Sequence, residues 1–215
     1  MRAFLKYGSF LVCLLLAACG KRYHLLAVKP LQQEVSVLAY KPVFDKEMYR
    51  CLVNGKFLFK SFHLSGILIF KELPDGSTRC VFQNEMGFTF FDFSWDKSDA
   101  FLVLKIIPQL DKPALIKTLQ KDLQLLLMKQ LPAGQEKIAV GKEGTVHRFP
   151  LEKGFADYLV NDTGLSKIYV VGKKKVATIS LGPKADKTDM PDSVFVQHHT
   201  ANFSIQLNKI AAHAE

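Results

Sequence analysis

Cys19 is the residue of this 215-residue chain whose position most directly specifies chemistry. Its thiol follows Leu16, Ala17 and Ala18 at the end of an apolar run that starts near Phe10, and Arg2 and Lys6 stand ahead of that run. A thiol is a nucleophile in its ionised form, and small residues in front of it are what a processing enzyme needs. The other chemistry-bearing groups are scattered. The histidines are His24, His63, His147, His198, His199 and His213. His198 and His199 adjoin within a strand-like run, so they point to opposite faces and do not share a metal ion. Asp92 lies inside an aromatic run, where a hydrogen-bonded structural carboxylate is the commoner role. Cys51 and Cys80 sit in apolar runs, and two readings stay open: a disulfide in an exported protein, or two small buried thiols. G-x-S-x-G, H-E-x-x-H, G-x-G-x-x-G and P-loop patterns are all missing. No catalytic residue, metal or cofactor is expected, and the chain reads as a binding protein rather than an enzyme.

A basic start, a short apolar stretch and a small-residue cleavage site make residues 1–18 a secretory signal. The stretch is too short to span a bilayer, which takes about 20 apolar residues. Leu16-Ala17-Ala18-Cys19 resembles a bacterial lipobox. That resemblance implies cleavage before Cys19 and acylation of its thiol with palmitate-like chains; the alternative is an ordinary cut after Ala18 that leaves Cys19 a thiol. Acyl chains at about 0.8 kcal/mol per buried methylene would hold a soluble body on a membrane. Residues 19–30 then read as a lipidated tether and 31–215 as one domain. The formal charge of +9 fits an anionic lipid surface or an acidic partner, and equally a solvated surface, since the lysines are spread along the chain. Nucleic acid is not an expected partner of an exported lipoprotein. Gly20 is not the aspartate that retains lipoproteins at the inner membrane in enterobacteria, so the expected location is the outer membrane, facing the periplasm.

The elements that must position any site are mostly strands. After a short helix expected near Gln32–Ala39, strand-like runs cover Cys51–Lys60, Leu64–Leu73, Ser77–Glu85, Gly87–Trp95 and Phe101–Ile107. They are separated by turns such as Pro74, Asp75, Gly76 and Ser77, and the close spacing predicts an antiparallel meander. One long helix is expected from an Asp111 N-cap to Gln130, with Pro113 in its first turn. Its leucines recur at helical spacing, with Lys117, Lys121 and Gln124 on the wet face. Strands resume at Gly144–Leu151, Phe155–Val160, Leu165–Val171, Val176–Leu181 and Val194–Leu207, with Gly172 to Lys175 as a hairpin turn. About ten strands result, as an unclosed antiparallel barrel or half-barrel covered by one main helix, mainly β. Several strands are apolar on both faces, which requires cover on both sides or an apolar cavity on one.

At Ser65-Gly-Ile-Leu-Ile-Phe-Lys71, Arg79-Cys-Val-Phe-Gln-Asn84-Glu85-Met86-Gly87 and Phe88-Thr-Phe-Phe-Asp-Phe93, the chain resembles the LolA/LolB-like carriers and receptors of lipoprotein localisation. The lipobox brings it nearest the LolB type. The resemblance covers residues 49–131. It implies a half-barrel with a helical lid over an apolar cavity that takes lipoprotein acyl chains, a monomer, and a periplasmic LolA-type carrier as partner. It implies a membrane-insertion hairpin at Asn84, Met86 and Gly87, with Met86 projecting; a Met86 packed back on its own sheet is the alternative. The apolar periodicity makes Leu68, Phe70, Phe82, Phe91, Phe93 and Trp95 candidate cavity-lining residues from the sheet. Leu102, Leu104, Leu119 and Leu123 complete that set. Two other functions fit the same pattern: a half-barrel for a different amphiphile, and an accessory lipoprotein with a filled core and no ligand.

Overall fold

The computed structural model describes residues 35–57, 60–132 and 134–211, apart from the side chains of Phe57 and Lys60. The signal, Cys19, the tether and the first part of the Gln32–Ala39 helix lie outside the described residues. The described part of that helix is a short 3₁₀ turn, Val37–Tyr40, entered through Ser36.

Strands β1 (Lys46–Phe57), β2 (Lys60–Glu72), β3 (Thr78–Gln83), β4 (Thr89–Trp95) and β5 (Phe101–Ile106) form an antiparallel meander. The helix α1 (Pro113–Leu126) follows. Strands β6 (Lys137–Gly141), β7 (Gly144–Pro150), β8 (Phe155–Asn161), β9 (Gly164–Val171), β10 (Lys175–Leu181), β11 (Ser193–His198) and β12 (Phe203–Lys209) form a second meander. β12 pairs with β1, which joins the two into one 12-stranded sheet of order β5-β4-β3-β2-β1-β12-β11-β10-β9-β8-β7-β6. The sheet is unclosed, with β5 and β6 as its edges.

That order dictates where the helix lies. The chain leaves one edge at β5 and must re-enter at the other edge, β6. The link crosses a face of the sheet, and a 14-residue helix spans roughly 21 Å of it. Leu119, Leu123 and Leu126 of α1 join Phe70, Phe93, Trp95, Tyr158, Ile168 and Ile179 of the sheet in one buried core. A second, small cluster of Val146, Leu159, Tyr169 and Val171 lies apart from it.

Three expectations change. The count rises to twelve because β6 is added and the Val194–Leu207 run divides into β11 and β12 around residues 199–202. The helix is capped at Lys112, without a side-chain cap bond, instead of at Asp111. It also stops at Leu126, and Met128 and Gln130 adopt left-handed φ values of 50° and 57° in the turn that follows. Finally, the two-faced apolar character of β4 is only partial: Phe91, Phe93 and Trp95 face the core, whereas Asp92 is held by Arg79.

Cys51 and Cys80 are free buried thiols. Burial pushes the Cys51 thiol up to about 12, and burial, with the Cys51 thiol adding to it, pushes Cys80 well up. Both therefore stay protonated and inert near pH 8. In the native chain neither Cys51 nor Cys80 should react with a water-soluble disulfide reagent over minutes, and both should react once urea unfolds it. Rapid native-state labelling at either position would contradict this packing.

Candidate functional site

Two neighbouring features make up the candidate site: the concave face beneath α1, and the rim where residues 84–88 turn. The concave face is built by strand alternation. Leu68 and Phe70 of β2, Phe82 of β3, and Phe91, Phe93 and Trp95 of β4 are all buried there, as are Leu119 and Leu123 of α1. Phe91 and Phe93 stack at 4.3 Å, and Phe101 meets Phe93 edge-on at 5.2 Å. These eight sequence candidates are brought together.

Leu102 and Leu104 are not. They are 53% and 52% exposed. Leu102 pairs with Ser94, on the side of β4 opposite Phe93 and Trp95, and a register shift follows between Phe93–Val103 and Asp92–Lys105. Phe101 and Val103 share the face of their partners Trp95 and Phe93, Leu104 is the extra residue of the bulge, and the shift it makes brings Ile106 inward. Phe101 and Ile106 pack on the core, while Val103 stays 39% exposed. A one-residue difference in phase moved the pair from one face to the other.

The interior is closed. Phe70, Phe93 and Trp95 have 0% of their surface open to water, and Leu119 and Leu123 have 7% each. A side chain lining a space wide enough for an acyl tail would keep water-reachable surface. Among the described residues, the aromatic side chains pack with the leucines of α1 in one buried cluster across the concavity. An open groove of about 620 Å³ lies at the β1–β2 end beside β12, but Asn54, Lys56, His63, Gln197, Asn202 and Ser204 give it a polar wall.

The helix is attached to the sheet by polar links as well as leucines. His198 Nε2 lies 2.7 Å from Asp122 Oδ2, with both side chains at most 3% exposed. Phe203 stacks on the His198 ring at 4.0 Å. The Tyr158 hydroxyl donates to the Leu125 carbonyl at 3.0 Å, and burial pushes that phenol far above its ordinary range, so it remains a donor. Beyond the helix end, Lys129 reaches Asp99 at 2.8 Å. The pairing of Asp122 with His198 went unread in the sequence, although Asp122 stands three residues after Leu119, on the apolar stripe. His199 faces outward and hydrogen-bonds Thr178 at 2.9 Å, so the two histidines diverge as alternation requires. Among the described residues no cluster of histidine, cysteine and acidic side chains could hold a metal ion.

The rim turn is fixed by Asn84. Its side-chain oxygen accepts from the Met86 N–H at 3.0 Å and the Phe88 N–H at 2.8 Å, while its backbone pairs with Phe88 and Gly87. Gly87 takes φ 82°, a left-handed value that favours glycine. Met86 is thereby held out at 93% exposure, and Phe88 beside it at 56%. Of the two orientations open to Met86, the projecting one is adopted.

No family model and no curated protein matches this chain significantly. Solved structures do. A LolA superfamily protein from Nitrosomonas europaea is 8% identical, with 83% of this chain and 93% of that one covered, at a TM-score of 0.46. An outer membrane lipoprotein-sorting protein domain from Vibrio parahaemolyticus is 10% identical over 81% and 87% of the chains, at 0.44. A DUF1329 family protein from Desulfovibrio piger is 7% identical over 77% and 84%, at 0.40.

Proposed function

We propose that this protein is a lipid-anchored envelope protein that holds acyl chains of lipoproteins beneath α1 and passes them to a membrane through the Met86 turn. Its place is the periplasmic side of the outer membrane, with a LolA-type carrier as donor and a monomer as the working unit. The observation that carries the reading is the concave aromatic face of an unclosed sheet, covered by one apolar-striped helix that starts at the Met86 end. Because the interior is filled, entry of an acyl chain requires α1 to move outward. The chain then takes over the contacts of Leu119 and Leu123, burying apolar area at roughly 25 cal/mol per Å². Release follows when a bilayer offers the same tail fuller burial.

The test is mass spectrometry of lipid co-purified with the chain carrying Cys19→Ala. Acyl lipid in near-stoichiometric amount is expected. Its absence, together with no displacement of a fluorescent fatty acid, would remove the reading. It would leave the second one, favoured by the 0% exposure of Phe70, Phe93 and Trp95: an anchored protein with a filled core that acts through its surface.

Met86→Glu separates binding from insertion. Met86 touches little, so stability should stay within about 0.5 kcal/mol and acyl binding should persist. Placing a carboxylate in hydrocarbon costs roughly 2.5–3.5 kcal/mol, so transfer of lipoprotein into vesicles should slow by about 50-fold or more. Normal transfer by this variant would exclude Met86 from insertion.

A further inference from the structure

The two ends of the strands differ in chemistry. The register puts the β1–β2, β3–β4, β7–β8, β9–β10 and β11–β12 connections at one end. Exposed apolar side chains at that end are Phe62, Met86, Phe88 and Phe155. Exposed lysines there are Lys56, Lys112, Lys153, Lys173 and Lys174, and Lys175 lies over the Tyr169 ring at 4.1 Å. The acids at this end are Glu85, Asp111, Glu136 and Glu152; Glu136 is tied to the Val37 N–H at 2.9 Å and to His147 at 2.7 Å, and Glu152 is paired with Lys117 at 2.7 Å. The opposite end carries more acids than lysines in its turns, although Asp99 is paired with Lys129 at 2.8 Å and Glu143 with Lys167 at 3.5 Å. Its short turns carry Asp75, Asp96, Asp99, Glu143 and Asp162, and its long β10–β11 loop carries Asp186, Asp189 and Asp192. These acids outnumber the lysines of the same segments, Lys97, Lys142, Lys184 and Lys187.

We propose that the Met86 end docks directly on an anionic lipid bilayer. Lys173 and Lys174, at the apex of the β9–β10 turn, lie against the headgroups, while Met86 and Phe88 enter the acyl boundary. Exposed apolar side chains flanked by lysines bind an interface through both buried area and charge. The acidic end is repelled by the same surface, so the body is oriented as well as attracted. The inference rests on the reading of Met86 above as a membrane-facing residue, and it adds the lysine turn, the lipid charge and the direction of approach. Attraction of this kind fades within a screening length of about 8 Å at physiological salt and about 3 Å at 1 M.

The experiment is sedimentation with vesicles of the chain carrying Cys19→Ala, so that no lipid anchor contributes. Binding is expected to vesicles of phosphatidylglycerol with phosphatidylethanolamine, to be absent with phosphatidylcholine alone, and to be lost at 1 M salt. Each lysine near an anionic surface contributes about fivefold to partitioning, so Lys173→Glu with Lys174→Glu should lower it by at least about 25-fold. Lys97→Glu with Lys142→Glu, at the acidic end, should change it less than about twofold. Both pairs are exposed, and unchanged thermal unfolding checks that each variant folds. Equal binding to phosphatidylcholine, equal losses in the two double variants, or no vesicle binding overturns the proposal. So does binding to polyglutamate without binding to vesicles, which would assign the lysines to an acidic protein. Vesicle binding by a chain that retains no acyl lipid upholds docking while removing the acyl-carrier reading. Retained acyl lipid without vesicle binding does the reverse.

Discussion

Replacing His198 with alanine is expected to lower the stability of the fold by about 1–3 kcal/mol or more, the cost of leaving a buried polar group without its hydrogen-bond partner. Asp122 is 3% exposed, and its Oδ1 has no hydrogen-bond partner among the described residues, so loss of His198 would leave the whole carboxyl group uncompensated in the core. The loss should be read from the midpoint of urea unfolding at constant slope. Joint replacement, Asp122→Leu with His198→Phe, removes both polar groups and should recover most of it, because an apolar substitute of similar volume is often neutral. The pair bridges α1 and β11, so the single variant should also speed amide exchange in α1 more than in β8 and β9. A loss below about 1 kcal/mol would show that the helix does not depend on this link. If α1 moves to admit an acyl chain, this pair must break at that step, which makes it the main polar resistance to opening.

Phe93→Ala carries the second large effect. Phe93 has no exposed surface, stacks on Phe91 and meets Phe101 edge-on. Truncating a buried phenylalanine costs about 3–5 kcal/mol, part of it from the void left behind. Leu102→Ala, one residue from the strand position paired with Phe93, should cost less than about 0.5 kcal/mol, because half of Leu102 is already in water. The contrast tests which face of β5 is inward. Similar losses at both positions would mean that Leu102 packs against something beyond the described residues.

Much of the architecture was legible because its signals are local. Alternation and turn chemistry located β2 to β5, and Pro113 with the leucine spacing located α1 within a turn of its ends. Asn84 and Gly87 marked the rim turn for the same reason: an Asn side chain and a left-handed glycine act within four residues of each other. Elements that depend on partners were harder. β6 is short and pairs on one side only, with β7, so little in its own composition demands a strand. The Val194–Leu207 run read as one strand because Thr200 to Asn202 gives a weak break, while the turn is enforced by pairing of β11 with β12.

The candidate site divides along the same line. The amino-acid sequence alone determined that a basic chain would form an unclosed β-sheet with one covering helix, and that Met86 would sit at a hairpin tip. Each of those rests on residues close together in the chain. Tertiary structure alone decided that Leu102 and Leu104 face water, since the pairing of Phe101 with Trp95 sets the phase of β5 and the bulge at Leu104 resets it only beyond that point, bringing Ile106 inward. It decided that Asp122 meets His198 across 76 residues. It decided that the concavity is filled, because whether aromatic side chains interlock or stand apart depends on the curvature of all the strands together. It also gathered the lysine turn and the Met86 turn at one end of the sheet, a consequence of strand direction and register that no single segment carries.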